Sequence, residues 1–153
     1  IAIVDNQDFE WLSQWKWHAD FDPKGKNWYV KRSEWTTRKP LRMHREIMSA
    51  SDGVEVDHKD GDGLNNQRHN LRLCTRQENK ENSKKQSNCE SKYKGVTTHK
   101  HKGHVHKWRA QIRHNGKLFS LGLFVTEEDA ARAYDAAARE LFGEFARTND
   151  VPD

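Results

Sequence analysis

The sequence predicts an α+β protein made of two small domains, and three observations predict it. Residues 54–84 read as strand, polar loop, strand and helix; residues 83–91 are polar and without period; residues 92–149 read as three strands followed by one helix. A length of 153 residues leaves room for one domain or two small ones. Apolar and charged residues each make up 33% and the mean hydropathy is −1.15, which allows small cores rather than one large one. Six tryptophans argue against general disorder. The expected division is a first domain over 1–82 with a β-rich front part, a linker over 83–91, and a second domain over 92–149.

The elements follow in order. DNQDFEWLSQWKWH (5–18) suggests a short helix from about Asp8 and a turn into a strand. Trp28 to Arg42 reads as extended segments around a polar turn, with Pro40 restricting what precedes it. LRMHREIM (41–48) is a short helix placing Met43, Ile47 and Met48 on a core, and the tryptophans at 11, 15 and 17 are read as core rather than as base-stacking platforms. VEVDH (54–58) is a strand, KDGDGLNNQRH a loop, NLRLC (70–74) a second strand. TRQE (75–78) is a capping box, so a helix should run from about Arg76 to Lys84.

In the second domain the strands are YKGVTTH (93–99), HKWRAQIRH (106–114) and KLFSLGLF (117–124), with a two-residue hairpin at Asn115-Gly116. Thr126 caps a helix whose first turn carries acids at 127, 128 and 129 and which Gly143 ends. Ala130, Ala133, Ala137 and Leu141 are the side expected to lie close on the sheet. No internal repeat is evident.

Charge is unevenly placed. Residues 1–82 carry 14 basic and 14 acidic side chains, residues 83–126 carry 10 basic and 1 acidic, and residues 127–153 carry 3 basic and 8 acidic. A basic block between neutral and acidic parts is the electrostatic footprint of a phosphate-binding surface. No apolar run approaches the length of a membrane span and nothing reads as a signal peptide, so a cytoplasmic setting and no membrane partner are expected. The chain opens on Ile1 rather than methionine, which leaves room for residues ahead of it. Cys74 and Cys89 stand 15 apart, match no zinc spacing and are expected to stay reduced.

The chemistry lies in the first domain. Cleaving a phosphodiester needs a cation that stabilises charge and a base that activates water. A carboxylate and an amide oxygen suit a hard divalent ion, and a neutral histidine is the usual base near pH 7. Asp57 and His58 are adjacent at a strand end, so their side chains diverge: Asp57 can face a metal while His58 faces water. Asn70 opens the paired strand, where its oxygen could hold the His58 ring, and Asn79 lies one turn into the helix, where it could complete the metal site.

VDHKDGDGLNNQRHNLR followed by TRQENKEN resembles the HNH nucleases, in the form found in phage and intron-encoded homing endonucleases. The resemblance covers about residues 41–82 and implies a ββα-metal fold. It implies that Asp57 and Asn79 are metal ligands, that His58 is the general base, and that Asn70 positions it. The final position is Asn here rather than His, as in many homing members. Mg²⁺ or Mn²⁺ is the implied cofactor. No pair of C-x-x-C motifs flanks the site, so no structural zinc is expected. Arg45, Arg68 and Arg72 are candidate phosphate contacts, with ion-pair or surface roles as the alternative. His44 and His69 are read as structural or solvent-facing.

On HKWRAQIRH, alternation puts Trp108, Ala110 and Ile112 on one face, against the alanine-rich helix. Lys107, Arg109, Gln111 and Arg113 fall on the other, a basic surface suited to the major groove. KYKGV…KWRAQIR…LGLF…EEDAARAYDAAARELFG resembles the APETALA/ethylene-response-factor DNA-binding domain over residues 91–149. That family lays a three-stranded sheet in the major groove, and Lys94, Arg109, Gln111 and Arg113 match its polar positions. Thr97, His99 and Ser120 stand where contact residues there are often Arg or Trp, so the plant target sequence does not carry over. His99, His101, His104 and His106 could bind a transition metal, but without an acidic or thiolate partner nearby they are read as a loop beside phosphate.

The expected function is Mg²⁺-dependent endonuclease on double-stranded DNA, acting as a monomer or transient dimer in a bacterial or phage-infected cell. A non-catalytic DNA-binding regulator is the rival from another class, and an RNA-processing nuclease a third.

Overall fold

The computed structural model describes residues 1–34, 39–85, 90–99 and 107–152. The chain divides into two compact units, Ile1–Asn79 and Lys80–Asp153. It is α+β throughout, with three small antiparallel sheets and four α-helices among the described residues.

In the first unit, helix α1 (Asn6–Leu12) precedes a sheet of β1 (His18–Asp22), β2 (Asn27–Ser33) and β3 (Pro40–Arg42), in that order. Helix α2 (Met43–Ile47) follows without a gap, and then β4 (Glu55–His58) pairs with β5 (Leu71–Cys74). Helix α3 (Arg76–Glu81) starts two residues later. One core serves both sheets: Leu12, Val30, Met43, Ile47, Val56 and Leu71 are buried, with Trp11, Trp17 and Met48 packed against them. Trp15 stays partly exposed under the guanidinium of Arg32. Helix α1 begins two residues before the sequence suggested, and Asp5 at its N-cap makes no side-chain cap. Its carboxylate instead accepts from Gln67 Nε2 and Arg68 N, tying the first turn to the loop before β5. The capping box of α3 forms as expected: Thr75 Oγ1 accepts from Glu78 N at 3.2 Å, and Glu78 Oε2 accepts from Thr75 N at 2.7 Å. The helix ends three residues short of Lys84, in a turn closed by Ser83 N on Lys80 O.

The second unit is one sheet on one helix. Strands β6 (Val96–His99), β7 (Lys107–His114) and β8 (Lys117–Phe124) are antiparallel in sequence order. Asn115 and Gly116 both take positive φ, 49° and 76°, as the two-residue hairpin turn requires. A bulge at Ala110/Gln111 moves the register so that Gln111 faces Ser120 and Leu121 is the extra residue. Helix α4 (Glu127–Phe142) is capped by Thr126, which accepts from Asp129 N, and stops at Gly143 with φ 53°.

The inner face of α4 differs from the one expected. Its buried residues are Ala130, Ala131, Tyr134, Asp135, Ala138 and Phe142, whereas Leu141 is exposed. Ala133 and Ala137 lie at the margin of the two small cores. Tyr134 and Phe142 carry more apolar area than any residue on the Ala133–Leu141 row, so the helix turns them inward. No helix among the described residues is long and apolar enough to cross a membrane. The run His101, His104, His106 and the thiol of Cys89 lie outside the described residues.

Candidate functional site

Strand β4 carries the first site, and the period of two along it separates the groups. Glu55 and Asp57 share one face, Val56 and His58 the other. Register adds to the first face Cys74, opposite Glu55, and Arg72, opposite Asp57. Arg72 donates from Nε and Nη2 to Asp57 Oδ2 at 2.8 and 2.7 Å, and both side chains are nearly buried. From α3, Asn79 Nδ2 donates to Glu55 Oε2 at 2.6 Å. That bond ties Asn79 to Glu55, and the β4 face of Glu55 also bears Asp57, whose Cα is one strand period (about 7 Å) away. No donor reaches Asn79 Oδ1 among the described residues.

Carboxylate and carboxamide oxygens are the donors a hard divalent cation takes, and the Asp57 carboxylate already attracts a cation in the form of Arg72. The donor set fits such an ion. The charge on this face is also felt by the Cys74 thiol, which burial and then the carboxylates of Asp57, Glu55 and Glu78 push up to about 12.

His58 takes the opposite face and turns inward, 5% exposed. Its ring meets His44 edge-on, with centroids 5.0 Å apart, and Tyr29 at 6.0 Å. Burial holds its pKa below the ordinary histidine value, against the pull of Asn66 and of Asp60, so the imidazole is neutral at pH 7. Asn66 Oδ1 lies 3.4 Å from His58 Nε2. The Asn66 amide nitrogen donates to the Gly63 and Leu64 carbonyls, which turns its oxygen to the ring. An oxygen there only accepts, so this contact calls for the ring proton on Nε2.

Asn70 makes different contacts from those expected. Its oxygen accepts from Asp60 N at 3.1 Å, and its nitrogen donates to Asp60 Oδ1 and Asn65 O at 3.0 and 2.8 Å. It fixes the loop that carries Asn66, one step removed from His58. Asn66 had no signal of its own in the sequence, because asparagine is ordinary in such loops. Glycine at 63 is required by space: a Cβ there would sit 2.2 Å from the Trp28 carbonyl and 2.6 Å from the Tyr29 ring.

The three arginines singled out for phosphate have partners within the protein. Arg45 donates to the carbonyls of Val54, Ala50 and Ser51 at 2.5, 3.2 and 2.9 Å. Arg68 makes a two-pronged bond to the buried Asp8, at 2.8 and 2.7 Å. Arg72 holds Asp57 as described. His44 is buried and its Nδ1 has no partner among the described residues, while burial and then the neighbouring His58 bring its pKa down to about 3.

In the second unit, alternation places Thr97, His99, Lys107, Arg109, Gln111, Arg113 and Ser120 on the sheet face away from α4. Leu118 and Leu123, both exposed, complete that face opposite Arg113 and Arg109. Arg109 Nη2 lies 2.6 Å from His99 Nδ1, so that nitrogen accepts. Lys94 is elsewhere: its Nζ donates to the carbonyls of Glu81 and Ser83 at 2.6 and 2.8 Å, and burial lowers its pKa to about 8.

Comparison with known proteins finds two families along the chain. A family profile described as HNH endonuclease matches residues 50–81, and one described as AP2 domain matches residues 91–144. The chain is 35% identical over 133 residues to the uncharacterized HNH endonuclease L560 of Acanthamoeba polyphaga mimivirus, an overlap of 81% of this chain and 67% of that protein. It is 46% identical over 61 residues to the ethylene-responsive transcription factor WRI1 of Arabidopsis thaliana, covering 39% of this chain and only 14% of the plant protein. With ERF084 of the same plant the identity is 55% over 47 residues, 29% of this chain and 18% of the relative. No solved structure matches the chain. The extent of the viral match, together with the two profiles, shows that the chain belongs to the HNH endonuclease family, in a form that carries an AP2 domain after the HNH segment.

Proposed function

We propose that the protein is a DNA endonuclease of the homing type, dependent on Mg²⁺ or Mn²⁺, whose AP2 sheet binds duplex DNA and whose β4–β5–α3 segment, a ββα-metal site, cuts it. What supports this reading is that Asp57 shares one face of β4 with Glu55, the partner of Asn79, while His58, its pKa lowered by burial, lies on the other. Asp57 and Asn79 Oδ1 would hold the ion. Once bound, such an ion neutralises charge on the phosphate and on the departing 3′ oxygen. His58 takes a proton from water while the water oxygen attacks phosphorus in line and the bond to the 3′ oxygen breaks. Asn66 holds the ring through Nε2, and Asn70 steadies the loop that carries Asn66 by bonding to the Asn65 carbonyl.

The ring is 5% exposed, so this reading requires the 59–66 loop to yield when DNA binds. Hydrogen exchange at Gly61, whose amide donates to the His58 carbonyl, should quicken in the complex. On the AP2 face, Lys107, Arg109 and Arg113 meet phosphate or guanine and Gln111 meets adenine, with Thr97, His99 and Ser120 filling between. The enclosed His58 and the Asp57–Arg72 pair also suit a second reading, in which the HNH segment is a scaffold for a DNA-binding regulator. Plasmid nicking with Mg²⁺ separates the two. Cutting by the wild type and a loss of roughly 10²- to 10⁴-fold in His58→Ala support catalysis. Binding that survives EDTA with no cutting under any divalent ion, or full activity in His58→Ala, overturns it.

A further inference from the structure

Glu55 stands out because nothing assigns it a role and its contact is the shortest at the site. Its Oε2 accepts from Asn79 Nδ2 at 2.6 Å, across 24 residues of sequence, in a half-buried position. A carboxamide has one donor end and one acceptor end. Fixing the nitrogen on a carboxylate leaves the oxygen for another partner, and the same face of β4 bears Asp57 one strand period from Glu55. An asparagine without such a partner can rotate by half a turn and present its nitrogen, which repels a cation.

We infer that Glu55 is a positioning residue of the metal site, holding the Asn79 carboxamide with its oxygen toward the ion that Asp57 binds. This rests on the metal role proposed above for Asp57 and Asn79. Glu55 acts through Asn79: its carboxylate is taken up by the amide and orients a ligand instead of being one. Groups that orient ligands in this way typically change metal affinity by about 10- to 100-fold.

The test is the affinity of the whole chain for Mn²⁺, without DNA, read from the electron-resonance signal of free Mn²⁺. The variants are Asp57→Ala, Asn79→Ala, Glu55→Ala, Glu55→Gln and Glu55→Ala with Asn79→Ala. The inference expects Glu55→Ala to bind about tenfold more weakly. Glu55→Gln, which keeps an acceptor oxygen, should stay close to wild type. The double variant should be no weaker than Asn79→Ala alone, since Glu55 has nothing left to orient. If Glu55→Ala binds as wild type, or Glu55→Gln falls as far as Glu55→Ala, the inference is wrong. A double variant weaker than Asn79→Ala means that Glu55 is itself a ligand and also overturns it. Loss of Mn²⁺ binding in none of the variants, Asp57→Ala included, instead removes the metal site beneath it.

Discussion

Arg68 separates two uses of one side chain, and the difference is measurable. Its guanidinium makes two short bonds to Asp8, which is 1% exposed, so removing it strands a carboxylate in the core. Breaking a fully buried pair from one side costs about 3–5 kcal/mol. The Arg68 side chain is 44% exposed, so solvent screens part of that, and about 2 kcal/mol is expected for Arg68→Met, which keeps the apolar stem. Against a urea slope of about 2 kcal/mol per molar, the unfolding midpoint should fall by about 1 M at pH 7. The hydrogen bond from Arg68, and then that from Trp11, holds the Asp8 carboxyl below the ordinary value of 3.8 despite its burial. A depressed carboxylate stabilises above its unfolded value and loses that contribution as pH falls through the folded one. The gap between wild type and Arg68→Met should therefore close as pH falls below about 4, because only the wild type loses the pair. The assay is urea denaturation followed by tryptophan fluorescence at pH 7 and pH 3. An unchanged midpoint at pH 7, or an equal gap at both pH values, refutes the argument. A normal melt with weakened DNA binding would return Arg68 to the phosphate.

Further outcomes follow from other contacts. In a Cys89→Ser background, Cys74 should be inert to a thiol reagent at pH 8 and react on adding urea, because its thiol is buried and titrates near 12; fast native reaction would contradict this. Gly63→Ala should lower stability by about 1–3 kcal/mol and reduce nicking, since the new methyl meets the Trp28 carbonyl, and a neutral result would mean the loop sits elsewhere. Arg113→Ala should reduce the salt slope of DNA binding by about one unit, whereas Lys94→Met should leave that slope alone, since Lys94 is spent on two carbonyls. Equal effects from the two would place Lys94 at the interface.

What could be read in advance was local. Thr75 with Glu78, Asn115 with Gly116, and the alternation along 107–113 each state a structure within a few residues. The order of Asp57 and His58 on β4, Asn70 just ahead of β5 and Asn79 on α3 follows the chain in the same way. The partners are not. Asp8 meets Arg68 across 60 residues, Asn79 meets Glu55 across 24, and the Asn66 oxygen meets His58 only because two carbonyls claim its nitrogen. The arginines at 45, 68 and 72 look alike in sequence, and only the folded chain shows what each one holds. The inner face of α4 is hidden from the sequence for a related reason: small residues mark where a helix can approach, but the bulky Tyr134 and Phe142 decide which way it turns.

The stretch after α4 has one more lesson for anyone trimming the protein. Asn149 receives the Lys94 amide on its oxygen, returns a bond to the Lys94 carbonyl, and donates twice to Asp135, a carboxyl that burial drives upward. A fragment ending at Ala146 would look complete by its helix and still lack its clasp, leaving a buried acid with no donor from that side. A fragment meant to keep the AP2 unit folded should therefore extend past Asn149, and proteases that nick at Arg147 should loosen the unit from its last turn inward.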